Sequence, residues 1–218
     1  SSAIIDNNDI RCGEVSPSGT NFNTYYVNIS GIELGSFVAG TKIRKNNIHD
    51  IYQPSTDGWA AIGIHITGSS TCTGIEISNN FIFNIVASKY STTTSLYTSL
   101  GIRYNSSTSG AATAQEIINN TIIIPASVNG VVANYRTYGI FAASGTTISK
   151  FLNNNIVNQN TGTGTIGFWN NATANISGGT VNYNNYYVPS GYIGVYNSFA
   201  YTTLSGWRTA TSKDANSL

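Results

Sequence analysis

Charged residues and strong helix formers are scarce in this chain. Of its 218 residues, 10 are Lys or Arg and 9 are Asp or Glu, which gives a net charge of +1. The charged fraction is 9%, against roughly 25% in typical soluble domains. A nearly neutral chain has no basic field that would attract nucleic acid or an anionic membrane. With only 6 Leu and no Met, a mainly helical protein is excluded as well.

Cysteine, histidine and long apolar runs are also rare. Two cysteines form no disulfide framework, and no CxxC motif or Cys/His group indicates a zinc site. A bridge between Cys12 and Cys72 and two separate thiols both remain open. No apolar stretch approaches the ~20 residues of a membrane span, and no basic-then-apolar segment opens the chain. We therefore predict no metal, no cofactor, no nucleic-acid partner and no membrane insertion, and we expect a mature or excised piece of a longer protein.

The chain is rich in asparagine and isoleucine, with 28 Asn and 27 Ile. An asparagine recurs at intervals of 31 to 40 residues, four times in the pattern Ile-x-x-Asn-x-Ile, a fifth time with Phe151 in the first place, and a sixth time in the looser copy Asn182-Tyr183-Asn184-Asn185-Tyr186-Tyr187. Stacked asparagines hydrogen-bond through their amides at ~4.8 Å per step, and asparagine tolerates the left-handed backbone of a sharp corner. We therefore predict a structural ladder that consists of Asn8, Asn46, Asn80, Asn120, Asn154 and Asn185.

A glycine with mostly apolar neighbours occurs once in each interval. These glycines are Gly31, Gly63, Gly101, Gly139, Gly167 and Gly194. The two residues that flank a glycine on a strand are expected to share one face. Each repeat is thus predicted to contain an asparagine-bearing and a glycine-bearing strand. The loops between them vary in length, as in solenoids that accommodate insertions.

These repeats predict an all-β fold, a parallel β-helix of about six coils over residues 1–201. A leucine-rich repeat would need far more than 6 Leu, and the Trp-Asp signature of propeller blades is absent. Residues 202–218 are predicted to form a separate cap segment. Its Leu204 and Trp207, at i and i+3 after candidate N-caps, indicate a short helix that covers the flank or the open end of the coils.

The rungs with Asn-Asn-x-Ile and Gly-Ile resemble the right-handed parallel β-helix superfamily, whose best-known members are pectate-lyase-like. The ending resembles β-helix modules of large secreted and surface proteins of Bacteroidota. It runs from Asn184-Asn185-Tyr186-Tyr187 through Leu204-x-x-Trp207 to Lys213-Asp214-Ala215-Asn216-Ser217-Leu218. The resemblance implies a right-handed coil, secretion or surface display, and a chain that continues into the neighbouring domains of a larger protein.

An outward-pointing position lies two residues after each repeat glycine. Its occupants are Glu33, His65, Arg103, Phe141, Trp169 and Tyr196. In register, these residues form one column with neighbours ~4.8 Å apart. The charged half fits either a covered ladder of favourable pairs or catalysis, with His65 as general base, Glu33 orienting it and Arg103 stabilising an anion. The aromatic half fits either sugar stacking or a second small core.

The sequence as a whole predicts a non-catalytic structural and adhesive module of a secreted or cell-surface bacterial protein. Its expected partner is a glycan or another surface protein. The candidate ligand-binding residues are Phe141, Trp169 and Tyr196. The alternative is a polysaccharide-degrading lyase or glycoside hydrolase that uses Glu33, His65 and Arg103. Against it, the chain lacks the local signatures of the galacturonan hydrolases in the superfamily that it resembles, namely an Asp-Asp pair, Gly-His-Gly and Arg-Ile-Lys.

Overall fold

The computed structural model describes most of the chain. The described residues are 2–12, 28–35, 39–53, 59–67, 72–87, 99–104, 112–128, 131–132, 136–143, 145–162, 164–170 and 174–218.

Short strands follow one another along these residues. The first nine are β1 (Ile4–Asp6), β2 (Asp9–Cys12), β3 (Ile29–Leu34), β4 (Lys42–Arg44), β5 (Asn47–Gln53), β6 (Ala61–Ile66), β7 (Glu76–Ser78), β8 (Phe81–Ala87) and β9 (Ser99–Tyr104). The next are β10 (Gln115–Ile118), β11 (Thr121–Ile124), β12 (Ser127–Val128), β13 (Val131–Val132), β14 (Thr137–Ala142), β15 (Ile148–Leu152), β16 (Asn155–Asn158) and β17 (Thr165–Asn170). The last elements are α1 (Ala174–Ser177), β18 (Thr180–Asn182), β19 (Asn185–Tyr187), β20 (Tyr192–Tyr196), β21 (Phe199–Tyr201) and α2 (Leu204–Thr211).

Equivalent strands of successive coils pair in parallel and form three sheets. Sheet A contains β1, β4, β7, β10, β15 and β18, and sheet B contains β2, β5, β8, β11, β16 and β19. Sheet C contains β3, β6, β9, β14, β17 and β20, with β21 added antiparallel to β20. A separate antiparallel pair consists of β12 and β13. The predicted all-β parallel solenoid with a short C-terminal helix is confirmed, and the four-residue α1 is an additional element.

The interior of the coils consists of stacked isoleucines. Ile48, Ile82, Ile122 and Ile156 lie opposite one another in sheet B, and all four are fully buried. Isoleucine suits this position because its branched side chain packs well on a pleated surface. Burial of one such side chain contributes about 1.5–3 kcal/mol, so every coil adds to the stability of its neighbours.

The corner between sheets A and B is a two-residue turn with the same form in each coil. Its first residue is left-handed, with φ between 55° and 59°, and its second is the ladder asparagine. Asn80 donates its backbone N–H (3.0 Å) and Nδ2 (2.9 Å) to Oδ1 of Asn120, and Nδ2 also to the carbonyl of Ile43 (2.9 Å). The same two bonds to the next coil join Asn8 to Asn46, Asn46 to Asn80, Asn120 to Asn154 and Asn154 to Asn184.

The sixth ladder residue is Asn184, and the predicted Asn185 is wrong. Asn185 lies on the outer face of sheet B, where its Nδ2 donates to Oδ1 of Asn155 at 2.8 Å. The left-handed position explains the difference. Tyr183 occupies it with φ 59°, so the residue that follows directly, Asn184, enters the ladder.

The repeat glycines of sheet C stack closely on one another, and they mark the point at which the side chains of a strand turn from one face of the sheet to the other. A Cβ on Gly101 would lie 2.6 Å from the carbonyl oxygen of Gly139, closer than real Cβ atoms approach. The prediction that both flanking residues share one face is wrong. Ile62 belongs to an apolar cluster on the outside of sheet C, whereas Ile64 belongs to the interior core. The backbone therefore switches faces at the glycine, as it does at a β-bulge.

The C-terminal residues close the last coil by taking the place of a further rung. The backbone N–H of Leu218 donates to the carbonyl of Asn184 at 2.8 Å. Asn184 in turn donates its Nδ2 to Oδ1 of Asp214 (2.9 Å) and its backbone N–H to Oγ of Ser217 (2.8 Å). Asp214 and Ser217 thus replace the next asparagine of the ladder.

Helix α2 holds this closing segment in place. Thr203 caps its N-terminus by accepting a hydrogen bond from the N–H of Gly206. Trp207 is fully buried, and a Cβ on Gly194 would collide with its ring. The Nε1 of Trp207 donates to Oδ2 of Asp214 at 2.7 Å. Helix α2 therefore covers the last strand of sheet C, in agreement with its predicted role as a cover for the coils.

Candidate functional site

Sheet C brings together the predicted outward column except for its last member. The residues aligned across its strands are Glu33, His65, Arg103, Phe141, Trp169 and Val195. The predicted place of Tyr196 is wrong, because Tyr196 lies opposite Asn170 and packs against Trp207 with ring centroids 6.3 Å apart. Gly194 lies opposite Phe168, so β20 is shifted by one residue relative to the glycine pattern.

The aromatic half of this column is covered. Phe141 is only 3% exposed and stacks on Trp169, with ring centroids 6.1 Å apart. Both rings belong to an outer apolar cluster that consists of Ala60, Ile62, Leu100, Tyr138, Phe141, Ala143, Ile166 and Val195, with Trp169 packed against it. In this arrangement Phe141 presents no open face to a sugar ring, and this half of the column forms a second core outside the solenoid.

The charged half of the column contains a buried neutral histidine. Oε2 of Glu33 lies 3.6 Å from Nδ1 of His65, which is longer than a hydrogen bond. Burial, together with the positive charge of Arg103, lowers the pKa of His65 to about 4. Neither ring nitrogen of His65 has a hydrogen-bond partner among the described residues. Chemically, such an imidazole is neutral at pH 7 and is able to accept a proton.

A second group of polar residues lies on the outer face of sheet B. We call it the acid–histidine cluster, and its members are Asp9, His49, Asp50, Tyr52 and Asn84. Nε2 of His49 contacts Oδ1 of Asp9 at 3.0 Å, and Nδ1 contacts Oδ2 of Asp50 at 2.7 Å. The other oxygen of Asp50 accepts hydrogen bonds from Tyr52 Oη and Asn84 Nδ2, both at 3.0 Å. The cluster therefore links the first three coils.

The hydrogen bonds of this cluster set the charges of its members. Burial lowers the pKa of His49, but the bonds to Asp50 and Asp9 outweigh burial and raise it above its ordinary value. Burial raises the pKa of Asp50, but its side-chain hydrogen bonds, led by that to His49, lower it overall. Hydrogen bonds from Asn47 and then His49 lower the pKa of Asp9. The cluster thus favours the imidazolium form of His49 between two carboxylates, and Arg11, opposite His49 in sheet B, adds a positive charge beside Asp9.

An uncharged strip continues from this cluster along the outer face of sheet B. We call it the sheet B strip, and its residues are Phe81, Phe83, Thr121, Ile123, Asn155, Val157, Asn185 and Tyr187. Phe81 is 42% exposed and Tyr187 is 54% exposed. The strip therefore has an open aromatic ring near each end.

Neither feature of sheet B was predicted, although a signal for both exists in the sequence. Asp9 follows its ladder asparagine by one position and the members of the strip follow theirs by one or three. These positions face outward in each coil. Outward residues of sheet B are therefore found by counting from the ladder asparagine, just as those of sheet C are found by counting from the repeat glycine. Asp50 and Asn84 each follow their ladder asparagine by four positions and are both left-handed (φ 53°), and Asp50 lies where the register between β2 and β5 shifts.

Metal sites, membrane helices and disulfides are absent from the described residues. No group of three or more His, Cys, Asp or Glu side chains within them is placed to hold a metal ion. In the same ranges no helix is long and apolar enough to cross a membrane. Cys12 is exposed and Cys72 is buried, and no disulfide joins these two described residues.

The order of the strands, their parallel pairing and the asparagine ladder define a β-solenoid of the β-helix type. The chain has no significant match to a protein-family model, a curated protein or a solved structure.

Proposed function

We propose that this chain is a non-catalytic structural and adhesive module of a secreted or cell-surface bacterial protein, and that it binds glycans. One observation carries the proposal. In the outer column of sheet C, His65, Arg103, Phe141 and Val195 are buried, and its aromatic half, with the partly buried Trp169, packs as a second core. A surface that is filled with its own side chains supports a structural role better than a role in turnover.

The other properties of the chain agree with a rigid surface module. The ladder and the buried isoleucines tie every coil to the next, which makes the solenoid a rigid support. The net charge of +1 gives the chain no strong electrostatic attraction to a charged polymer, which agrees with a neutral glycan as the partner. Secretion and surface display rest on the resemblance of the rungs and of the ending to surface-protein β-helices.

The proposal is tested by incubating the chain with a panel of neutral and acidic polysaccharides. Retention of the protein and the number of polysaccharide chain ends are measured in the same tubes. Retention without new chain ends is the expected result. New chain ends from any substrate would contradict a non-catalytic role, and the absence of retention by every polysaccharide would contradict glycan binding.

A polysaccharide-degrading lyase or hydrolase is the second candidate, because neither nitrogen of the buried His65 has a hydrogen-bond partner among the described residues, which leaves a lone pair that accepts a proton. Its pKa of about 4 makes this imidazole a weak base at pH 7, so this candidate ranks below the structural role. For this candidate, chain ends released by the wild type must disappear in His65→Gln. They must persist in His49→Gln, which changes the other histidine of the chain on a different sheet.

A further inference from the structure

The sheet B strip exposes apolar surface that the interior core does not use. Its second column contains Phe83, Ile123, Val157 and Tyr187, which lie opposite one another in successive coils. Its first column, one position from the ladder, contains Phe81, Thr121, Asn155 and Asn185. Along the solenoid axis, Phe83 and Tyr187 are three rungs apart, or about 14 Å at ~4.8 Å per rung.

The aromatic rings at the first end are held in a fixed orientation. Phe81 and Phe83 stack with centroids 4.5 Å apart and planes 29° apart. Phe83 in turn lies nearly parallel to the imidazole of His49, with centroids 4.9 Å apart and planes 8° apart. Since His49 is fixed by its two carboxylate contacts, the whole stack is pre-organised, which reduces the entropy lost when a flat ligand binds.

Polar groups border the apolar column and offer both donors and acceptors. Nδ2 of Asn185 donates to Oδ1 of Asn155, which leaves Nδ2 of Asn155 and Oδ1 of Asn185 without partners among the described residues. The hydroxyl of Thr121 lies in the same column. A flat ring bordered by amides and hydroxyls matches a sugar, which has an apolar face and a rim of hydroxyl groups.

We infer that the sheet B strip binds a neutral oligosaccharide that lies along the solenoid axis, with one sugar ring on Phe81 and another on Tyr187. This inference rests on the proposed glycan binding and names its site and ligand class. The site is distinct from Phe141 and Trp169, whose rings lie on sheet C.

The charges around the strip match a neutral rather than an acidic polysaccharide. The eight strip residues are all uncharged, so the strip itself has no cation to pair with a uronate carboxylate. At the end next to Phe83, the carboxylates of Asp9 and Asp50 lie beside His49 and beside Arg11, which is opposite His49 in sheet B. A polyuronate therefore gains no net electrostatic attraction from the strip, whereas a neutral chain meets donors and acceptors for its hydroxyl groups.

The test compares strip variants with a variant of an exposed ring elsewhere. Cellohexaose and xyloglucan serve as neutral probes and polygalacturonate as the acidic probe, with affinity measured by calorimetry and by retardation in polysaccharide-containing gels. We expect the wild type to bind a neutral probe and not polygalacturonate. Phe81→Ala and Tyr187→Ala are each expected to weaken binding at least fivefold. The control is Phe199→Ala, since Phe199 is 66% exposed but lies in β21, and its affinity is expected to equal that of the wild type.

Each other outcome overturns a definite part of the reasoning. Binding that is equally strong in Phe81→Ala, Tyr187→Ala and the wild type leaves glycan binding in place and overturns the strip as its site. Preference for polygalacturonate overturns the ligand class. No binding of any probe overturns both the inference and glycan binding. A wild-type dimer that the two strip variants convert to a monomer assigns the strip to a second copy of this chain. Phe81→Tyr, which keeps the ring, is expected to retain binding, and its thermal melt shows whether the strand is intact.

Discussion

Replacement of Asp214 by asparagine tests how the last coil is closed. The carboxylate of Asp214 is fully buried and accepts four hydrogen bonds. Oδ1 accepts from Nδ2 of Asn184 (2.9 Å) and from the hydroxyl of Ser217, and Oδ2 accepts from Oη of Tyr186 (3.1 Å) and Nε1 of Trp207 (2.7 Å). In Asp214→Asn, one of the two acceptors becomes an NH₂ donor that faces two other donors.

The loss follows from the number of bonds. Hydrogen bonds to charged groups contribute about 1.5–3 kcal/mol each, so two lost bonds amount to about 3–6 kcal/mol. The hydroxyls of Ser217 and Tyr186 are able to turn and accept instead of donate, which places the expected loss near the lower limit, about 3 kcal/mol. With a urea m-value of about 3 kcal/mol/M, the unfolding midpoint falls by about 1 M.

The measurement is urea unfolding followed by tryptophan emission and by circular dichroism. Trp207 is buried against Asp214, so a cap that opens by itself changes the emission before the β-sheet signal is lost. The matched control is Glu33→Gln, which neutralises an exposed carboxylate at the opposite end of sheet C and is expected to change stability by less than about 0.5 kcal/mol. A midpoint shift below about 0.3 M in Asp214→Asn would refute the view that this carboxylate holds the last coil.

Three further predictions concern the ladder, the glycine stack and the acid–histidine cluster. Asn120→Ala removes bonds to the coils on both sides and is expected to lower the free energy of unfolding by about 3 kcal/mol, whereas Asn185→Ala on the exposed face changes it by less than about 0.5 kcal/mol in the same urea titration. Gly101→Ala places a Cβ against the carbonyl of Gly139 and is expected to lower the melting temperature by several degrees. Gly178 has open space around it, so Gly178→Ala is expected to leave the melting temperature unchanged. Equal melting temperatures of the two variants would contradict the close stacking. The pKa of His49 is raised above 6.5, so its contribution to stability is complete below pH 6.5 and is lost as pH rises through the folded-state pKa. Thermal melts from pH 5.5 to 9 are therefore expected to show a melting temperature that declines with pH, and His49→Gln is expected to remove that decline.

Most of the fold was predictable because each coil repeats the same local chemistry. The predicted ladder residues Asn8 through Asn154 each follow a left-handed residue, and four of those five left-handed residues are themselves asparagines, which tolerate this backbone conformation. The error at the sixth coil was avoidable. The motif aligns there as Val181-x-x-Asn184-x-Tyr186, with valine and tyrosine in place of the isoleucines.

The outer surfaces were harder to predict because they depend on contacts between distant residues. Tyr196 does not lie in its predicted column. Trp207, from the helix that follows, packs over Gly194, and β20 is shifted by one residue relative to the glycine pattern. Burial of Phe141 has no local signal either, because an aromatic residue on the outside of a strand looks the same in the sequence whether it is open or covered. His49 and Asp9 lie 40 residues apart and meet only because the coils between them have that length.

The ladder also gives the solenoid an electrical direction. Each ladder amide from Asn46 to Asn154 points its oxygen toward the preceding coil and one Nδ2–H toward the following coil, so these components of the dipoles add along the axis. The positive pole lies at the last coil, and Asp214 places a carboxylate there, much as an acidic residue stabilises the N-terminus of a helix. A coil added or removed in the middle keeps both poles as they are, because each interior rung offers the same donor and the same acceptor. The length of this solenoid is therefore free to vary in evolution or by design, provided that the anionic terminus stays with the final rung.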